Sequence, residues 1–154
     1  RGSGAHRAVP SYPTLRSSAP TLRQRQWLLL QHTRETFARA WGRFFCDYDV
    51  LLCPAASTTA FPIDEAGEPW QRSIRVNGQP LPLTSQLFWA GHSGLCGLPS
   101  TVAPIGPAHD GLPVGVQIVA RRFGDLTSLR FAQLLEDAGH AFRPPAGLPA
   151  STHI

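Results

Sequence analysis

A chain of 154 residues with 42% hydrophobic and 16% charged residues is long enough to bury a core and too apolar to stay disordered. Its formal charge of +4 comes from fourteen arginines and no lysine, and these are scattered along the chain, which disfavours a nucleic-acid surface. Arginine without lysine, beside fifteen prolines, fits a codon-usage bias better than a binding stripe.

Residues 1–20 are rich in Ser, Pro, Arg and Gly and read as a loop or disordered lead-in. A helix is expected over residues 21–46, capped by Thr21, with Leu29, Thr33, Phe37, Trp41 and Phe44 forming an apolar stripe. Asp47-Tyr48-Asp49 should end it. Val50 to Cys53 then make a short strand, apolar on both faces, stopped by Pro54 and expected to lie centrally in its sheet.

Residues 55–71 read as a loop. Ile74 and Val76, the Asn77-Gly78 pair, then Leu81 and Leu83 signal a β-hairpin with a type I′ turn. Pro80 and Pro82 keep that hairpin at an edge or outside the main sheet. Residues 84–95 are expected to be helical, with Leu87, Phe88, Gly91 and Leu95 on one side, closed by Gly94, Gly97 and Pro99. Two strands, 100–105 and 114–119, flank a turn at Asp110-Gly111 and should pair antiparallel. The last helix should be capped by Asp125, face Leu129, Phe131, Ala132, Leu135 and Ala138 inward, and end at Gly139. A tail follows from Arg143.

This order predicts an α/β fold, a mixed β-sheet layered with helices. Its strands need cover on both faces, and three helices with one hairpin supply too little, so a partner segment is expected. The chain contains no methionine, and a segment upstream of Arg1 is expected on that ground too.

Few residues carry chemistry by themselves. Ala90-Gly91-His92-Ser93-Gly94 superficially matches a nucleophile elbow, but Leu95 stands where the second glycine belongs and a helix precedes the serine. Ser93 and Gly94 are therefore read as a helix end. Cys53 could pair with His92 or His109, yet an apolar strand raises a thiol pKa, and a buried structural cysteine is the favoured reading. Asp64 and Glu65 are adjacent on a loop and read as solvated. Cys46, Cys53 and Cys96 have no metal-ligand spacing and suit reduced thiols in a cytoplasmic protein.

Several segments, taken in order, carry a resemblance. They are Asp49-Val50-Leu51-Leu52-Cys53-Pro54, Arg75-Val76-Asn77-Gly78 through Leu87-Phe88-Trp89-Ala90-Gly91, Gly97-Leu98-Pro99-Ser100, 111–119 (GLPVGVQIV) and Phe123-Gly124-Asp125. Over residues 24–142 the chain resembles the C-terminal part of the amidase signature family, serine amidohydrolases with a Ser–cis-Ser–Lys triad. The resemblance implies residues 21–142 as a portion of an amidase domain within an α/β/α sandwich, preceded by the 1–20 lead-in and followed by a 143–154 tail. The family's Gly/Ser-rich nucleophile segment has no match here, since Ser17-Ser18 is followed by Ala19-Pro20, and no lysine is present to act as base.

No catalytic residue is therefore expected on this chain. The resemblance implies that Pro54, Ala55, Ala56 and Ser57, with Phe88, Trp89 and His92, line the acyl side of a cavity for a small-molecule amide. It implies no metal and no organic cofactor. The expected partner is the N-terminal portion of the same enzyme, with a homo-oligomer possible and neither nucleic acid nor membrane involved. The alternative is a non-catalytic truncated or remnant domain that binds or completes another polypeptide.

Overall fold

The computed structural model describes residues 23–144. The expected lead-in, the Thr21 cap and most of the expected tail lie outside the described residues.

Helix α1 spans Gln24–Asp47 and is entered through Arg23, whose backbone N–H donates to Gln26 Oε1 at 2.9 Å. It stops where Tyr48 turns extended. Its half-buried residues are Gln31, Arg34, Ala38, Trp41, Phe44 and Phe45, at three- and four-residue steps with Phe44 and Phe45 side by side. Of the expected stripe, Trp41 and Phe44 are half-buried but Leu29, Thr33 and Phe37 are exposed, because the helix packs mainly on one later helix and is apolar on more than one side.

Strands β1 (Val50–Pro54), β4 (Ser100–Pro107) and β5 (Pro113–Ala120) form one sheet in the order β1-β5-β4, antiparallel throughout. The α/β class stands, β4 and β5 pair antiparallel as expected, and β5 is the central strand. β1 is not: among the described residues it pairs only with β5, so it is an edge strand, and Leu52 is exposed. An all-apolar run reports that both faces want cover; it does not report on which side another strand lies.

The hairpin β2 (Ser73–Val76) and β3 (Gln79–Pro82) stands apart as a separate two-stranded sheet. Asn77 and Gly78 both have positive φ, 50° and 78°, as a type I′ turn demands. Leu83 lies past the strand, at the start of a 3-10 turn over Leu83–Gln86.

That turn leads into α2 (Leu87–Cys96), which runs past Ser93 and Gly94. Neither ends the helix. The stop is Gly97, left-handed at φ 65°, where a Cβ would be strained. α2 also faces the opposite way from expectation: Ser93 and Cys96 are buried, Trp89 and His92 half-buried, while Leu87, Phe88 and Leu95 point outward.

Helix α3 (Asp125–Asp137) is capped by Gly124, not Asp125, which is its first residue. A Cβ on Gly124 would meet the Arg121 carbonyl oxygen at 2.8 Å, so only glycine fits this tight entry. Phe131, Ala132 and Leu135 are half-buried as expected, but Leu129 and Ala138 are exposed.

Register fixes the layers. Paired residues share a face, so Thr101 lies with Ile118, and its hydroxyl meets Ser128 of α3 at 2.9 Å. Gln117, one residue along, lies on the other face and bonds Ser93 of α2. The order through the molecule is α1, α2, sheet, α3. The core is narrow and centred on Ile118, Val119 and Ala120, each 0% exposed.

Candidate functional site

The covered face of α2 meets β1, the loop after it and β5 through polar side chains. Gln117 is buried on β5 and uses its amide nitrogen twice, to Ser93 Oγ at 3.2 Å and Ser100 Oγ at 2.8 Å. Its oxygen lies 3.9 Å from the Cys53 thiol. One glutamine thereby joins α2, β4 and β1.

Cys53 and His92 meet across this seam, with Sγ 3.6 Å from Nε2. The other ring nitrogen lies 3.3 Å from the Phe88 carbonyl, which can only accept, so in the neutral imidazole Nδ1 donates and Nε2 is left to accept a hydrogen bond from the thiol. Burial pushes the Cys53 thiol pKa up, which keeps it protonated and unreactive. Cys53 is half-buried rather than sealed in the core. Ser93 has no bond to the histidine beside it, and its buried hydroxyl is spent on Gln117. Cys96 is buried, and burial raises its pKa too, with Arg34 opposing.

The loop after β1 is held at Ser57. Its backbone N–H donates to Gln86 Oε1 at 2.9 Å, and its hydroxyl accepts from Trp89 Nε1 at 2.8 Å. Two residues farther on, the Thr59 hydroxyl donates to Asp110 Oδ2 at 3.2 Å, on the β4–β5 turn. Asp110 Oδ1 accepts the Leu112 N–H at 3.1 Å. That N–H is the main reason the Asp110 carboxyl lies below its usual pKa; Thr59 and His109 add to it, against some desolvation.

Between this loop and the start of β5 lies a depression of about 410 Å³. Ala55, Ala56 and Ser57 line one side, Pro113, Val114 and Gly115 the other. The expected site residues are thus divided. Ser57, Trp89 and His92 lie on one seam, with Ala55 and Ala56 along the depression. Pro54 is exposed at the end of β1 and does not line it. Phe88 sits edge-on to Trp89 at 5.1 Å but is 66% exposed on the outer side of α2.

Sequence reasoning missed Gln86, Thr59, Asp110 and Gln117. Asp110-Gly111 was legible only as a turn, and a glutamine at a helix entry carries no signal of its distant partner. Asp64 and Glu65 are exposed, and Asp64 Oδ1 simply accepts the Ala66 N–H at 2.9 Å. Among the described residues no group of three or more His, Cys, Asp or Glu side chains could hold a metal ion. None of their helices is long and apolar enough to cross a membrane.

Comparison with known proteins gives consistent results. The family model described as Amidase matches residues 13–129. The A subunit of glutamyl-tRNA(Gln) amidotransferase from Brevibacillus brevis is 33% identical over 116 residues, covering 75% of this chain and 22% of that protein. Indoleacetamide hydrolase of Bradyrhizobium diazoefficiens is 29% identical, covering 80% of the chain and 22% of the relative. Among solved structures, a vestigial protein complex bearing on the origins of an s-triazine catabolic enzyme aligns with TM-score 0.62 and 28% identity, over 78% of this chain and 25% of its own. The A subunit of the Thermotoga maritima glutamyl-tRNA(Gln) amidotransferase aligns with TM-score 0.57 and 28% identity, over 72% and 22%. The chain spans a quarter or less of the length of these relatives.

Proposed function

The chain belongs to the amidase family, the amidase signature proteins, and from that premise we propose that it is the C-terminal portion of a carboxamide-cleaving enzyme. In the complete enzyme a serine would attack the amide carbon, the amine would leave, and water would release the acid from the acyl-enzyme. A lysine acting through the cis-serine would take and return the proton, and backbone N–H groups would hold the oxyanion.

This chain cannot supply that lysine, having none, and its sequence carries no match to the Gly/Ser-rich nucleophile segment. It contributes three strands, the α2 seam and one wall of the acyl cavity. Residues 55–57 and Trp89 belong to that wall, and His92 stands behind it, braced by Cys53.

The observation that carries the reading is the outward apolar side of α2. Leu87, Phe88 and Leu95 are exposed there, although the family model matches through this helix. Such a face suits a chain that packs against the rest of a larger enzyme. The partner is accordingly the N-terminal portion of the same enzyme.

Purified alone, the chain should not hydrolyse benzamide. Mixed with an upstream polypeptide carrying the Gly/Ser segment and a lysine, it should complete a hydrolase. Turnover by the chain alone, abolished by Ser93→Ala, would overturn the proposal.

The second reading, a remnant that completes another polypeptide without catalysis, draws on the same exposed face. It predicts binding to the upstream polypeptide with no hydrolysis. Relatives named as a hydrolase and as part of an amidotransferase both match, so the acceptor of the acyl group, water or another amine, stays with the complete enzyme.

A further inference from the structure

The geometry points to Gln86 and Asp110 as positioning residues that set the 55–60 wall of the acyl cavity; the inference rests on the proposed amide-binding role of that cavity. The wall is a loop of small residues, Ala55 to Ala60, with no regular structure and no apolar anchor. A loop of that kind takes many conformations unless its polar groups are tied down.

Here it is tied at two points. Ser57 is gripped twice, its backbone by Gln86 and its hydroxyl by Trp89, from one face of the α2 entry. The grip also fixes how the Gln86 amide lies. Ser57 N–H can only donate, so the carbonyl oxygen must face it, and the amide nitrogen is turned away. That nitrogen is buried without a partner among the described residues, a cost accepted to keep the oxygen on Ser57.

The second tie crosses the depression. Thr59 reaches Asp110, whose other oxygen is engaged by Leu112, so the loop is fastened to the turn that leads directly into Pro113, Val114 and Gly115. The lining residues Ser57 and Thr59 are therefore held in place by Gln86 and Asp110, which lie outside the lining. Residues 86 and 110 shape the cavity and touch no ligand.

The test uses the full chain and its Gln86→Leu, Asp110→Ala and Asp110→Asn variants, with benzamide as the probe. Benzamide affinity is followed by NMR titration, loop order by amide hydrogen exchange across residues 55–60, and folding by thermal melting. Asparagine keeps one acceptor oxygen and can donate to the Thr59 hydroxyl, so it should retain the tie.

Gln86→Leu should weaken benzamide binding by about fivefold, the scale of one lost neutral hydrogen bond, and Asp110→Ala, which removes a carboxylate accepting two bonds, by at least as much. Loop exchange should speed up, β5 exchange should stay unchanged, and Asp110→Asn should restore binding. Unchanged affinity in folded Gln86→Leu and Asp110→Ala, or no benzamide binding by the unsubstituted chain, would overturn the inference. Should Gln86→Leu fail to fold, the Asp110 pair still decides.

Failure of the amidase reading looks different. Benzamide would bind with the predicted variant effects, yet no hydrolysis would follow when the upstream polypeptide is added.

Discussion

The centre of β5 and the outer side of α2 are equally apolar in sequence and opposite in environment. Ile118, Val119 and Ala120 are sealed between α2 and α3, while Leu87, at 68%, and Phe88 remain largely exposed. Hydrophobic periodicity states that a face wants cover; which element provides it is a tertiary fact. On α2 the cover within the chain goes to the polar side, because Ser93, His92, Trp89 and Gln86 find hydrogen-bond partners on the sheet and the loop. The apolar side is left for another surface.

Truncation at the two regions sharpens the contrast most. Ile118→Ala removes packed methylenes from a sealed position and should cost about 2–5 kcal/mol in chemical denaturation. Leu87→Ala should stay within about 0.5 kcal/mol, because its side chain loses no cover. Equal losses at the two sites would mean that α2's outer side is covered in solution by this chain itself.

Self-association probes the same face without touching the core. The chain alone should associate, through exposed apolar patches and through β1, which has one unpaired edge among the described residues. Leu87→Glu with Leu95→Glu should shift sedimentation toward monomer at unchanged thermal stability. Persistence of the larger species would place the contact elsewhere, with the β1 edge as the next site to substitute.

A smaller effect belongs to the α3 side of the sheet. Ser128 is 1% exposed, and its hydroxyl lies between Thr101 Oγ1 and the Asp125 carbonyl, both at 2.9 Å. Ser128→Ala leaves the Thr101 hydroxyl without this partner and should cost about 1 kcal/mol. Thr101→Val with Ser128→Ala should recover part of it, since removing both polar groups removes the unmet need. A double variant worse than the sum would show that the helix is placed by packing, not by this bond.

How much of this was legible in the sequence follows from range. The Asn77-Gly78 turn and the Gly97 and Gly139 stops were readable because backbone conformation is dictated by the residues themselves. The antiparallel β4–β5 pair was readable because its connection is short. The covered positions of α1 before Trp41 and the facing of α2 were not, since each is decided by a neighbour distant in the chain. Ser57, Trp89 and His92, named through the family resemblance, lie together on one seam. Gln86 and Asp110 were out of reach, because each pairs with a residue 29 or 51 positions away. Nothing local distinguishes such a glutamine or aspartate from a solvated one.

The pH response of Asp110 gives the smallest effect and the finest test of the loop's second tie. Its carboxyl pKa is depressed in the folded chain, first by the Leu112 N–H and then by the Thr59 hydroxyl and His109. A depressed carboxyl pKa contributes stability that is fully present above the unfolded value, about 3.9, and is lost as pH falls through the lower folded value. Loop order should therefore be flat from neutral pH down to about 5 and decline only below the ordinary aspartate range. Protonation converts an acceptor-only group into one that must place a hydrogen, which weakens the bonds from both Leu112 and Thr59. In Asp110→Ala the 55–60 amides should exchange quickly at neutral pH and gain little further on acidification, so the two proteins converge at low pH. The Thr59 resonances of the unsubstituted chain, followed by NMR, should titrate with a midpoint below the ordinary aspartate value. A midpoint at or above that value would show that neither bond favours the carboxylate, and the loop would then be held at Ser57 alone, with no tie across the depression.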